Sequence, residues 1–122
     1  MTVRAIRGAV TVDNNTKEEI ILYTKQLLKE MIMLNNIDIN DMISIFFTTT
    51  KDINATFPSV AARELGLTNV PLMCASEIDV PGSLQKCIRV MVHLNTDKNL
   101  DEIIHVYLRD AKKLRPDLVN NQ

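Results

Sequence analysis

Aromatic side chains are scarce in this sequence. There is no tryptophan, and phenylalanine and tyrosine together make up only 4% of 122 residues. That removes the stacking platforms on which single strands of nucleic acid are held. A surplus of positive charge is missing too: the formal net charge is -1, with acidic and basic residues interspersed. Nucleic-acid binding needs a basic stripe, so no such partner is expected. Only three glycines are present, and none forms a Gly-rich phosphate loop. The two histidines, His93 and His105, have no ligand-spaced partners, so no metal is expected. The two cysteines, Cys74 and Cys87, read as free thiols in a cytoplasmic protein, since the start MTVRAIRGAV has no hydrophobic region of a signal peptide. No apolar run reaches the length of a membrane span, and no repeat or low-complexity segment is visible.

What is there suits one compact domain over residues 1–122, with 46% apolar residues to build a core. The stretch from Gln85 to Asn95 alternates with period two. Ile88, Val90, Val92 and Leu94 face one way; Cys87, Arg89, Met91 and His93 face the other. Arg89 is the anomaly, a guanidinium in mid-strand. It either meets a carboxylate or solvent, or faces a cleft built for an anion. Val3 to Val12 alternates in the same way and places a second arginine, Arg7, on a face of small apolar residues. Gly8 beside it permits close backbone approach.

Between these strands, Thr16-Lys-Glu-Glu19 fits a capping box and opens a helix to about Leu34 with an apolar stripe through Ile20, Tyr23, Leu27, Met31 and Leu34. Met42 to Thr50 reads as a strand. Phe57-Pro58 opens a short helix that carries Arg63 and stops at Gly66. Val70 to Cys74 is a short strand that Pro71 confines to an edge or to a strand end. A loop with Glu77 and Asp79 follows, then the Arg89 strand, a helical turn near 98–103, a last strand from His105 to Leu108, and a polar tail expected to be flexible from about 110 to 122. The order β-α-β-α-β-β-β implies an α+β fold, a mixed sheet with one long helix on one face. The other face is left to self-association, most simply a closed cyclic oligomer.

Several segments together resemble the AroH-type monofunctional chorismate mutases: IRGA at 6–9, TKEEI at 16–20, FP and AAREL between 57 and 65, VPLMC at 70–74, EIDV at 77–80, KCIRVMV at 86–92, HVYL at 105–108 and LRPDL at 114–118. The resemblance covers nearly the whole chain. It implies a homotrimeric pseudo-α/β-barrel with active sites at subunit interfaces, and rearrangement of chorismate to prephenate without cofactor. Position by position, it implies that Arg89 donates to the substrate's ether oxygen and to a carboxylate. Glu77 would accept from the ring hydroxyl and orient Arg89. Arg7 and the Tyr107 hydroxyl would bind a carboxylate, and Cys74 would touch the ring edge without acting as a nucleophile. Phe57 and Leu114 would supply apolar walls, Arg63 and Arg115 outer charge. Phe57, Met73 and Cys74 would come from one subunit and Arg7, Glu77, Arg89 and Tyr107 from its neighbour. One departure stands out: Val60 occupies a position where similar proteins carry lysine. Two alternatives share the architecture or the ligand: an imine deaminase of the trimeric barrel-like family, and a non-catalytic module that binds an aromatic-pathway metabolite.

Overall fold

A computed structural model describes residues 1–116. Five strands form one mixed sheet: β1 (Thr2–Thr11), β2 (Met42–Thr49), β3 (Leu72–Ser76), β4 (Cys87–Thr96) and β5 (Val106–Leu108), in the order β3-β2-β4-β1-β5. The inner pairs β1–β4 and β2–β4 are antiparallel, and the two edge strands pair in parallel with β2 and β1. The long helix α1 (Lys17–Leu34) and the short helix α2 (Ser59–Glu64) pack against each other, and α1 lies on β1. The α+β class expected from the pattern holds.

The alternation of β4 sorts as expected. Ile88, Val90, Val92 and Leu94 are buried, and with Ile6, Val10, Ile45 and Phe47 they form the core under α1. Gly8 lies at the seam. A Cβ built there would meet Met31 Sδ at 2.6 Å and Leu27 Cδ1 at 3.0 Å, so the helix sits as close as it does only because the side chain is absent.

Local chemistry moves several expected boundaries. Thr16 Oγ1 caps the Glu19 amide at 3.2 Å, but Glu19 does not return the bond to Thr16. Its carboxylate accepts from the amides of Asp13 and Asn14 and from Asn14 Nδ2, holding the turn before the helix and lowering its own proton affinity. Along the helix stripe Thr24 is buried, whereas Leu34 is exposed. The strand expected at 70–74 is shifted to Leu72–Ser76, because Pro71 has no amide to donate and joins β2 only through its carbonyl, which accepts from Ile45 at 3.0 Å. It is an edge strand, and Pro71 lies just before its first residue, so both positions allowed for the proline are met.

The region expected as a flexible tail from about 110 begins as a 3₁₀ helix, Arg109–Lys113, and its start is folded against the sheet. Ala111 is fully buried against Ala9, Cys87 and Tyr107. The Asp110 amide donates to Thr11 Oγ1 at 3.1 Å, and the Arg109 guanidinium lies 4.2 Å over the Tyr23 ring while pairing with Asp13 at 2.7 Å. Polar composition concealed this small-residue contact. The remainder of the expected tail, 117–122, lies outside the described residues, as do Asp117 and Leu118 of the LRPDL segment. No helix among the described residues is long and apolar enough to cross a membrane.

Candidate active site

The strand registers dictate which side chains meet on the sheet face away from α1. One row runs Met73, Phe46, Met91, Arg7 across β3, β2, β4 and β1. The next runs Ala75, Thr48, Arg89, Ala9, Tyr107 and reaches β5. Arg7 and Arg89 are thus two residues out of register on adjacent strands and flank one hollow. A cavity of about 320 Å³ opens there, lined by Arg7, Phe46, Thr48, Glu77, Arg89 and Tyr107.

Glu77 follows β3 and reaches back over the sheet. Its Oε1 accepts from Thr48 Oγ1 at 2.7 Å and lies 3.8 Å from Arg89 Nε. The latter distance makes an ion pair without a hydrogen bond. Arg89 Nε is buried with no hydrogen-bond partner, and so is the Tyr107 hydroxyl, on a residue that is only 1% exposed. Buried donors are nearly always satisfied. Two unsatisfied donors lining one cavity mark it as shaped for an acceptor from outside the chain. Both readings left open for Arg89 are therefore partly met: a carboxylate is near, yet the guanidinium still faces a cleft.

The start of β4 is held firmly. Asp52 accepts twice from the Lys86 amide, at 2.9 and 3.2 Å, and also from Thr50 Oγ1, which in turn accepts from the Cys87 amide at 3.0 Å. This network anchors the strand two residues before Arg89. Cys87 itself is fully buried under Tyr107 and Ala111 although it belongs to the open face. Burial pushes its thiol up to about 11, against the opposing pull of Arg89, so it stays protonated and unreactive near neutral pH.

The other expected residues lie apart from this hollow. Phe57 and Cys74 line a second cavity of about 480 Å³, with Thr49, Ile53, Pro58 and Ser76. Phe57 is 66% exposed. Met73 points from β3 onto the open face and is 61% exposed, outside both cavities. Arg63 is exposed on the last turn of α2. Leu114 packs half-buried beside Tyr107 and Ala111, and Arg115 follows it, close enough for its charge to act on His105. Sequence reasoning missed Phe46, Thr48 and His105. Phe46 and Thr48 carried the ordinary period-two signal; what was lacking was the register that sets them opposite Arg89 and Met91. The His105 ring accepts the Arg7 amide at 2.9 Å and is held below the ordinary histidine range by burial, then by Arg7 and Arg115. Among the described residues no group of three His, Cys, Asp or Glu side chains is placed to hold a metal ion.

Residues 3–118 match the family model for chorismate mutase type I. The chain belongs to the chorismate mutase type I family. It is 46% identical over 121 residues to chorismate mutase AroH of Thermus thermophilus, covering 98% of this chain and 99% of that one. It is 48% identical over 119 residues to chorismate mutase AroH of Bacillus subtilis strain 168, covering 97% and 94%. A solved chorismate mutase from Clostridium thermocellum superposes with a TM-score of 0.89 at 58% identity, over 90% of this chain and 98% of that one. The activity is that of a chorismate mutase, an isomerase. These matches favour the isomerase over both the imine deaminase and the binding module.

Proposed function

We propose that this chain rearranges chorismate to prephenate, the branch step toward phenylalanine and tyrosine, at sites shared between subunits of a cytoplasmic homotrimer. The observation that carries the reading is the pair of unsatisfied buried donors, Arg89 Nε and the Tyr107 hydroxyl, lining one cavity with Arg7 and Glu77. Chorismate is a dianion, and its rearrangement breaks a C–O bond as a C–C bond forms within the same molecule. No nucleophile is needed. Positioning in a compact conformer and positive charge at the departing ether oxygen suffice.

Arg89 supplies that charge. Its fork offers a donor to the ether oxygen while Glu77 and the strand fix its direction. Arg7 and Tyr107 take a carboxylate. Glu77, held by Thr48, accepts from the substrate's ring hydroxyl. Phe57, Met73 and Cys74 come from the neighbouring subunit, with Arg63, Leu114 and Arg115 at the rim. The trimer is supported by the exposed apolar side chains of the open face, Val3, Phe46 and Met73, which α1 cannot cover from its own side of the sheet. It is supported also by the division of the expected residues between two separate cavities on one chain. Incubation of the purified protein with chorismate should consume its absorbance, and light scattering should give three times the chain mass. A fully active monomer would exclude the shared site.

A further inference from the structure

Glu77 is moored twice to β2. Its amide donates to the Thr49 carbonyl at 2.9 Å, and its carboxylate Oε1 accepts from the Thr48 hydroxyl at 2.7 Å. Arg89 stands on the neighbouring strand, directly opposite Thr48 in the β2–β4 register. The same Oε1 lies 3.8 Å from Arg89 Nε, about 1 Å beyond the length of a charge-assisted hydrogen bond. Electrostatics alone does not account for this gap. A carboxylate and a guanidinium attract, both side chains are partly buried, and Nε is a buried donor with no partner. Closure would satisfy it. What opposes closure is the hydroxyl, because the oxygen nearest Nε is the one that Thr48 holds.

We propose that Thr48 is a positioning residue that keeps Glu77 from closing on Arg89, so that Arg89 Nε stays open to an acceptor in the cavity. This rests on the roles given to Arg89 and Glu77 above. An Nε already bonded to Glu77 has its donor engaged before substrate arrives and meets the departing ether oxygen less fully. The cost falls on the transition state, where negative charge collects on that oxygen, and therefore on kcat. Arg7 and Tyr107, which take a carboxylate, stand on β1 and β5 and keep their part of the binding, so KM moves less. The arrangement exchanges stability for readiness: one buried donor is left unsatisfied within the chain.

The test compares the parent with Thr48→Val, Thr48→Ala and Thr48→Ser in kcat and KM for chorismate, in thermal melts and in the Arg89 Nε–H resonance. Thr48→Val keeps the branched shape and removes the donor; Thr48→Ala removes it with a smaller side chain. Both should lose about ten- to a hundredfold in kcat, short of the loss on the order of 100- to 1000-fold for outright removal of a donor, with a smaller rise in KM. Their Nε–H resonance should move to that of a hydrogen-bonded guanidinium. The melting temperature of Thr48→Val should hold or rise, opposite to the loss of an ordinary structural hydrogen bond. Thr48→Ser keeps the hydroxyl and should recover most of the lost rate. In a Glu77→Ala background Thr48→Val should cost nothing further, because no carboxylate is left to close. A folded Thr48→Val protein with the parent kcat, or a loss of equal size in the Glu77→Ala background, overturns the proposal. Arg89→Ala separates the two levels. If it nearly abolishes turnover while Thr48→Val keeps the parent kcat, only the role of Thr48 fails. If it stays within about tenfold of the parent kcat, the reading of Arg89 fails and the role of Thr48 goes with it.

Discussion

The two faces of the sheet obey different rules. Under α1, Ile6, Val10, Ile45, Phe47, Ile88 and Val92 are buried completely, and Gly8 lets the helix press close. On the opposite face, strands of the same sheet present Arg7, Arg89 and the overhanging Glu77 among Val3, Phe46 and Met73, and two buried donors there are unsatisfied. One face is complete within the chain. On the reading proposed above, the other is completed by an acceptor and a second surface. Damage to the first should therefore register as lost stability, and damage to the second as lost turnover or binding in a protein that still folds.

The largest effect is expected at Arg89. Removing one preorganised donor of this kind costs about 3–4 kcal/mol, or on the order of 100- to 1000-fold in kcat, and Arg89→Ala removes the whole cation as well. Arg89→Lys should recover little, because an ammonium lacks the fork. Circular dichroism should be unchanged in both. A folded Arg89→Ala protein with kcat within about tenfold of the parent, only about 1.4 kcal/mol, would reduce Arg89 to an ion-pair residue and erase the contrast between the faces.

On the core face, Gly8→Ala is the matching probe. The added methyl falls 2.6 Å from Met31 Sδ, and overpacking of this kind costs about 1–3 kcal/mol. A lowered melting temperature is expected, and an unchanged one would show that Met31 yields freely.

Smaller effects are expected at the rim. Arg115→Ala should raise KM by roughly tenfold and leave kcat nearly unchanged, the pattern of lost uniform binding. An equal fall in kcat would move Arg115 inward to the reacting bond. Val60→Lys adds the rim cation that the family resemblance implied at this position and should lower KM only a few-fold, most visibly below about 0.1 M salt, where the Debye length exceeds about 10 Å. Identical salt dependence in the two proteins would mark the position as neutral.

Much of this contrast was legible without coordinates. Period-two alternation sorts β4 and β1 into faces, and it singles out Arg89 and Arg7 because a guanidinium among small apolar neighbours has no bland place to go. What alternation does not carry is the partner strand. Thr48 and Phe46 look like ordinary strand residues until the β2–β4 register sets them opposite Arg89 and Met91. Cys87 belongs to the open face by period yet is buried, because Ala111, in a segment read as polar tail, comes back over it. His105 looked like a strand residue, but its ring replaces a ladder bond, a tertiary contact spanning 98 positions that no local pattern encodes. Glu19 showed the right residue for a capping box, while the bend at Asp13 and Asn14 offered it better donors.

The juxtaposition of Arg7 and Gly8 has a consequence for how such an enzyme can change. Adjacent strand residues point to opposite sides while sharing one stiff backbone, about 3.3 Å apart. Gly8 is where α1 bears on that backbone through Leu27 and Met31; Arg7 is where the backbone meets the cavity. A repacked helix seam would tilt the arginine, and a re-aimed arginine would unsettle the seam. If Arg7 binds substrate as proposed, heat tolerance and substrate capture are coupled at this point through Leu27 and Met31.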